Sequence, residues 1–194
     1  MNWWTVATAT SLTAWINSGF GQPYYYDYGN NVYYDNGTVY VEGGPVATEE
    51  QYAEGAKKIA DSVPEVDPAK VEWLPLGVFA LTPTDGSVSV EDSTMFIQLA
   101  VTREGIIAGT FQDTSADNAV EIQGTIDKDS QRAAWSPFGK EWPVMQTGVF
   151  NLTKDETGVL LHFENGATQQ WNLTRLEEPK DQPDKSGATS DPKK

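Results

Sequence analysis

The chain contains no cysteine and a single histidine. Without cysteine there is no disulfide, no thiolate nucleophile and no thiolate-ligated zinc. One histidine leaves a His-based metal site or acid–base pair without a second imidazole. Basic residues are scarce: 13 Lys and Arg stand against 28 Asp and Glu, for a formal net charge of −15. Such a surface repels phosphate, so nucleic acid and anionic membrane surfaces are poor partners. No apolar stretch is long enough to span a bilayer as a helix. A signal peptide needs a basic start and an unbroken apolar stretch. The first basic residue here is Lys57, and Thr and Ser interrupt the apolar start. If Met1 opens a piece of a longer product rather than the native chain, an export signal lies outside it.

What is present is a cadence of strands. Apolar, β-rich runs at 73–82, 94–102, 106–112, 119–127, 131–136, 144–153, 158–164 and 168–176 are separated by polar turns such as Asp85-Gly86, Lys128-Asp129 and Asn165-Gly166. Alternation within them is clean: Met95, Ile97, Leu99 and Val101 oppose Gln98, Ala100 and Thr102. One wet and one dry face is the antiparallel signature. The connections are too short for crossover helices, so sequence neighbours pair. A meander of this length closes to remove its edges. The expected fold is mainly β with a small α part: an antiparallel up-and-down meander curled into a barrel or half-barrel. A two-sheet β-sandwich is the alternative. Mid-strand glycines (Gly77, Gly109, Gly124, Gly148) mark sharp bends and favour the barrel. Bulky inward residues, Phe79 or Val78, Phe111, Trp135, Phe150, Phe163 and Trp171, predict a filled interior. Trp73 opens the first barrel strand and Arg175 lies in the last, so closure predicts a guanidinium stacked on an indole. Lipocalins close their barrel with a similar contact, an analogy of architecture, since their Gly-x-Trp is absent here.

Residues 1–70 read as a segment packed on this barrel. A short helix is expected within 3–17, with Trp4, Ala7, Ala14 and Trp15 on one face. Seven of the eight tyrosines lie between Tyr24 and Tyr40. Within that block Asn36-Gly37 predicts a type I′ hairpin that pairs Tyr34 with Val39, Tyr33 with Tyr40 and Val32 with Val41. Thr48-Glu49-Glu50-Gln51 fits a capping box before a helix with Tyr52, Ala56, Ile59, Ala60 and Val63 on one stripe. The division is then 1–70 for this segment, 71–177 for the barrel and 178–194 for a polar, disordered tail or linker.

No motif of catalysis stands out, and no cofactor is implied. Alternation places His162 on the wet face, as a surface residue. There is no Gly-x-Ser-x-Gly elbow. Acidic residues cluster in turns, where Asp is favoured for local hydrogen bonding. Asp27, Asn30, Asn31, Asp35 and Asn36 are oxygen-rich but lack EF-hand spacing. The tyrosine block has two uses, strand packing and contact with flat ligands. The candidate ligand-binding residues are therefore Tyr33 and Tyr40, with Tyr26 and Tyr28 beside them.

Tyr26-Asp27-Tyr28-Gly29-Asn30-Asn31-Val32-Tyr33-Tyr34, Gly44-Pro45-Val46-Ala47-Thr48, Trp73 to Leu81, Glu104 to Gly109 and Lys128 to Trp135 together resemble a bacterial family described as mu-protocadherin-like or cell-surface proteins. The resemblance spans roughly residues 3–178. It implies an exported, cell-surface or periplasmic location and brings no catalytic or calcium-binding residues with it. The expectation is a non-catalytic binding or adhesion domain for a carbohydrate, a protein or a small apolar ligand. A calycin-like carrier of a small apolar molecule is the alternative, and a hydrolase using two carboxylates the second.

Overall fold

The computed structural model describes residues 1–16, 20–67 and 70–180. The tail expected from 178 therefore lies almost wholly outside the described residues.

The chain reaches Ala9–Trp15 (α1) with Thr8 as its cap: the Thr8 hydroxyl accepts from Ser11 N, and the Ser11 hydroxyl accepts from Thr8 N. Threonines lower the helix propensity of this region, yet one of them supplies the start signal. The buried positions are Leu12 and Ile16, one turn apart, while Ala14 is exposed. Of the expected face, Ala7 is buried and Trp15 packs against the core, and only Ala14 turns outward.

Val32–Asp35 (β1) and Thr38–Val41 (β2) form the expected hairpin in the expected register. Asn36 (φ 46°) and Gly37 (φ 77°) both occupy the left-handed region that a type I′ turn requires. A second tight turn at Glu42-Gly43 adds Gly44–Thr48 (β3), a strand the sequence reading lacked. Pro45 disguises it, because proline fits only an edge strand such as this one. Glu49–Asp61 (α2) follows, with the Thr48–Gln51 capping box in place.

The meander then closes. Trp73–Pro83 (β4), Met95–Thr102 (β5), Ile106–Asp113 (β6), Asn118–Asp127 (β7), Arg132–Pro137 (β8), Val144–Gly148 (β9), Glu156–His162 (β10) and Thr168–Arg175 (β11) form a closed, wholly antiparallel barrel. Its seam pairs β11 with β4, from Trp171 opposite Pro83 to Arg175 opposite Phe79. The strand expected over 144–153 stops at Gly148, and Val149–Thr153 turns into a 3-10 helix. That turn folds Phe150 and Leu152 into the core and buries Asn151, whose side chain bonds Tyr26 N and O and the Thr157 hydroxyl. The curvature depends on glycine. A Cβ on Gly124 would lie 1.9 Å from the Ala134 carbonyl oxygen across the strand pair.

One end of the barrel is plugged. Leu12 and Ile16 of the α1 region, Phe20, Phe150 and Leu152 join Leu76, Phe79, Leu99 and Leu173 in one continuous core. Phe20 and Phe150 meet edge to face at 5.0 Å, and the Trp15 indole donates to the Val101 carbonyl at 3.2 Å. Arg175 belongs to this plugged end. It lies 4.7 Å over the Phe79 ring and donates to the carbonyls of Leu76 (2.6 Å) and Leu152 (2.7 Å). The expected stack on Trp73 is therefore replaced. The seam register sets Arg175 against Phe79, six residues further along β4, and Trp73 lines an outer groove instead.

The hairpin and α2 lie on the outside of the barrel. Ala56 and Ala60 pack on Ala134 and Val144, small residues that let the helix sit close. Tyr26, Tyr28, Val32, Val39 and Tyr52 pack with Leu160 of β10 as a second apolar layer.

Candidate functional site: the open end of the barrel

The end opposite the plug is open. Leu81, Met95, Phe111, Val120, Ile122, Trp135, Met145, Leu161 and Trp171 surround a cavity of about 240 Å³, with Asn118, Ser136, Pro137, Lys140 and Pro143 completing its lining. These residues come from the last turns of β4, β6, β8 and β10 and the first of β5, β7, β9 and β11, which is how an up-and-down barrel gathers all eight strands at one rim. The interior is thus filled below and hollow above. Phe79, Trp135 and Phe150 fill it as expected from their bulk, whereas Phe111 and Trp171 are only half buried and flank the opening. Phe163 lies beyond the end of β10, half buried, and has no place in the lining.

Chemically the lining is simple. It contains no Asp or Glu, and its one charged residue, Lys140, is exposed. Trp135 is its most deeply buried member, at 0% exposure, and the indole Nε1 has no hydrogen-bond partner.

A second polar centre lies outside the barrel, beneath α2. His162, expected at the surface, is fully buried. Strand alternation does point it away from the barrel interior, but that outer face is covered by the tyrosine layer, which a two-faced reading of β10 does not include. The Gln146 Oε1 accepts from Arg132 Nη2 (2.7 Å), and its Nε2 donates to the Tyr52 hydroxyl (3.1 Å). That fixes the imidazole: Nε2 carries the proton toward Gln146 Oε1 (3.2 Å), and Nδ1 accepts from the Thr168 hydroxyl (2.9 Å). Burial, and secondarily the Arg132 charge, push the His162 pKa down to about 4. Arg132 stacks 4.1 Å over the Tyr52 ring and also donates to the Tyr52 carbonyl. The whole arrangement ties α2 to β8, β9 and β10.

The tyrosines singled out from sequence divide into two groups. Tyr26 and Tyr28 are buried in the layer, where burial raises both phenol pKa values, and the Tyr26 hydroxyl donates to the Ser130 carbonyl at 2.7 Å. Their ring faces are spent on packing. Tyr33 and Tyr40 are half buried on the outer side of the hairpin and stack on each other, centroids 5.0 Å apart and planes within 3°. The oxygen-rich run near them makes turn bonds: Asn31 Oδ1 accepts from Asp27 N, and Asn30 Nδ2 donates to Asp27. Among the described residues no group of three or more His, Asp or Glu gathers as a cation site would require.

Gln146, Arg132 and Thr168 were not singled out from the sequence, and no local motif marks them. The cavity residues were partly visible as inward rows of each strand, but the boundary between filled and hollow was not.

No protein family, curated protein or solved structure matches this chain.

Proposed function

We propose that this protein is a non-catalytic binding protein that takes a small apolar molecule into the open end of its barrel. The supporting observation is the 240 Å³ cavity with an almost wholly hydrophobic lining, closed below by the α1 plug and open above. Small-molecule sites are concave, mostly apolar and furnished with few polar groups. A lining without carboxylates or an imidazole, whose one titratable side chain is the exposed Lys140, lacks a paired acid and base, which favours retention over hydrolysis there. This reading puts the carrier ahead of adhesion through the tyrosine block, because Tyr26 and Tyr28 are consumed by packing. An exported or cell-surface location remains part of the proposal, supported by the lack of cysteine and by the resemblance to surface proteins.

The test is an NMR titration with an apolar aromatic, isopropylbenzene, following the methyl signals of Met145, Leu161 and Leu81. Saturable shifts confined to these groups are expected, and Leu161→Trp, which fills the mouth from its half-buried rim, abolishes them. Uptake unchanged in Leu161→Trp would place the binding elsewhere and sink the proposal.

A further inference from the structure

We propose that the barrel mouth selects an apolar amine, whose hydrophobic body enters the cavity and whose protonated nitrogen rests at the rim on the Asp113 carboxylate. The inference names the ligand class of the mouth and rests on the reading of the mouth as a binding site.

Register places Asp113. It is the last residue of β6, two positions beyond Phe111, and alternate residues of a strand share a face. Across the ladder it stands between Met95 of β5 and Asn118 of β7, and residues directly opposite share a face too. Phe111, Met95 and Asn118 all line the cavity. Asp113 is therefore the next step up the same inner row, half buried at the rim, while Gln112 before it is exposed on the outer face. Its Oδ1 accepts from Ser115 N (2.9 Å) and from the Ser115 hydroxyl (2.6 Å). These bonds fix the group and hold its pKa below the usual carboxylate value, so it is ionised at neutral pH. Among the described residues no Lys or Arg forms an ion pair with it.

The loops around the opening carry the same sign. Those at the open end hold Asp85, Glu91, Asp92, Asp117, Glu141 and Glu164 against Lys140 alone. Those at the plugged end are balanced, with Arg103, Lys128 and Lys154 against Glu104, Asp129 and Asp155. The acid excess of the barrel loops thus lies at the mouth. Charge of one sign around a low-dielectric opening gathers counter-ions and repels co-ions. Lys140 lines the cavity, but it is exposed and followed directly by Glu141, and it is outnumbered.

The depth of the cavity decides where the cation stops. No buried lining residue carries a charge, so an ammonium drawn inside would lose its hydration without a partner. At the rim it keeps water and gains Asp113, and the Phe111 ring one step below is a favourable neighbour for a cation. The volume of 240 Å³ is below the range of drug-sized sites, which limits the body to a compact group. The ligand class is a small primary amine with an aromatic or aliphatic body.

Three probes that share a phenylethyl body test this. Propylbenzene, 2-phenylethylamine and 3-phenylpropanoate end in a methyl, an ammonium and a carboxylate. Each is titrated into the full chain at neutral pH while the methyl signals of Met145 and Leu161 are followed. The expected result is that propylbenzene and the amine move these methyls and that the amine binds about tenfold more tightly than the acid, an advantage that shrinks at high salt. Asp113→Asn keeps an oxygen for Ser115, so the fold should hold. It should lower the affinity for the amine by about threefold to fivefold, the scale of an exposed ion pair, and leave propylbenzene unchanged. Glu164→Gln, in a loop outside the inner row, should lower it less. The acid binding as tightly as the amine, or Asp113→Asn weakening the amine no more than Glu164→Gln does, would overturn the inference and leave the mouth as a binding site. No methyl shift with propylbenzene would overturn the reading of the mouth, and the inference with it.

Discussion

Acid should strip stability from this protein well above the pH at which exposed carboxylates titrate, and His162 is the reason. The ring is fully buried and bonded through both nitrogens in its neutral form. The charge that acts on it is a cation, Arg132, and the ring it meets edge to face is the Tyr52 phenol, so neither welcomes a second positive charge. Protonation need not break a hydrogen bond, because the Thr168 hydroxyl can turn to accept from Nδ1. The cost is the burial of charge itself, which is why desolvation is the leading cause of the shift. The folded pKa is about 4, below the ordinary value of 6.5. Below 6.5 the unfolded chain binds a proton that the folded chain refuses, so stability falls as pH falls. The loss begins near pH 6.5 and is complete near pH 4, where the folded form protonates too. A displacement of 2.5 (6.5 minus 4) at 1.36 kcal/mol each corresponds to about 3 kcal/mol. That is a large share of the margin of an ordinary domain.

Since the chain has one histidine, one imidazole signal reports the titration without assignment. The measurement is that signal from pH 8 to 3.5 on tag-free protein, alongside urea unfolding at each pH. His162→Gln is the control, because the carboxylates titrate equally in both proteins. The wild type should lose about 3 kcal/mol more than the variant over this window. A ring that titrates near 6.5, with parallel stability curves for the two proteins, would show that the tyrosine layer does not seal His162 from water.

Three further substitutions probe the parts that position the mouth. Gly124→Ala forces a Cβ into the backbone of β8, which cannot yield as a flexible side chain would. A loss of more than about 2 kcal/mol by urea unfolding is expected, and a neutral effect would refute the close approach. Thr48→Ala removes the bond from Gln51 N to the Thr48 hydroxyl, leaving only the reciprocal bond from Thr48 N to the Gln51 side chain, and should cost about 1 kcal/mol in the same assay, whereas Glu50→Ala, which takes part in neither bond, should cost much less. Leu12→Ala hollows the plug and should cost about 2–5 kcal/mol. Its effect on the Met145 and Leu161 methyl shifts should be small, because those residues line the opposite end.

The barrel was legible in the sequence because its rules are local. Period-two alternation in residues such as Met95 to Val101 gives each strand a dry face, and short polar turns leave neighbours no option but to pair. The β1–β2 register followed from one dipeptide, Asn36-Gly37, whose backbone geometry admits few alternatives. What stayed illegible depends on a third layer. Alternation states which side of the sheet His162 occupies, not whether another element covers that side. Gln146 and Thr168, which no local motif marks, join His162 in a network that is covered only once Tyr52 arrives from α2. The Arg175 error has the same origin: sequence order shows that the first and last strands meet, but only the seam register decides which ring the guanidinium lies over.

The placement of the N-terminal segment links these observations to the mouth. The described residues before β4 contribute closure: α1 seals the floor, and the hairpin with α2 covers the outer faces of β7 to β10. None of the described residues before β4 enters the lining of the cavity. A barrel that needed only to be a solid scaffold would gain by filling its top as it fills its base, because each unfilled apolar volume forfeits packing. Instead the bulk is concentrated below, and Met95, Leu161 and Trp171 are left half buried around an opening. The ring of the His162 network lies on the wall of the barrel behind this opening, on β9 and β10, the pair with the shortest run of paired residues in the barrel. The bonds from Arg132 to Gln146 and from Gln146 to Tyr52 tie that thin part of the wall to α2 from outside, where a hollow interior gives it the fewest packing contacts from within.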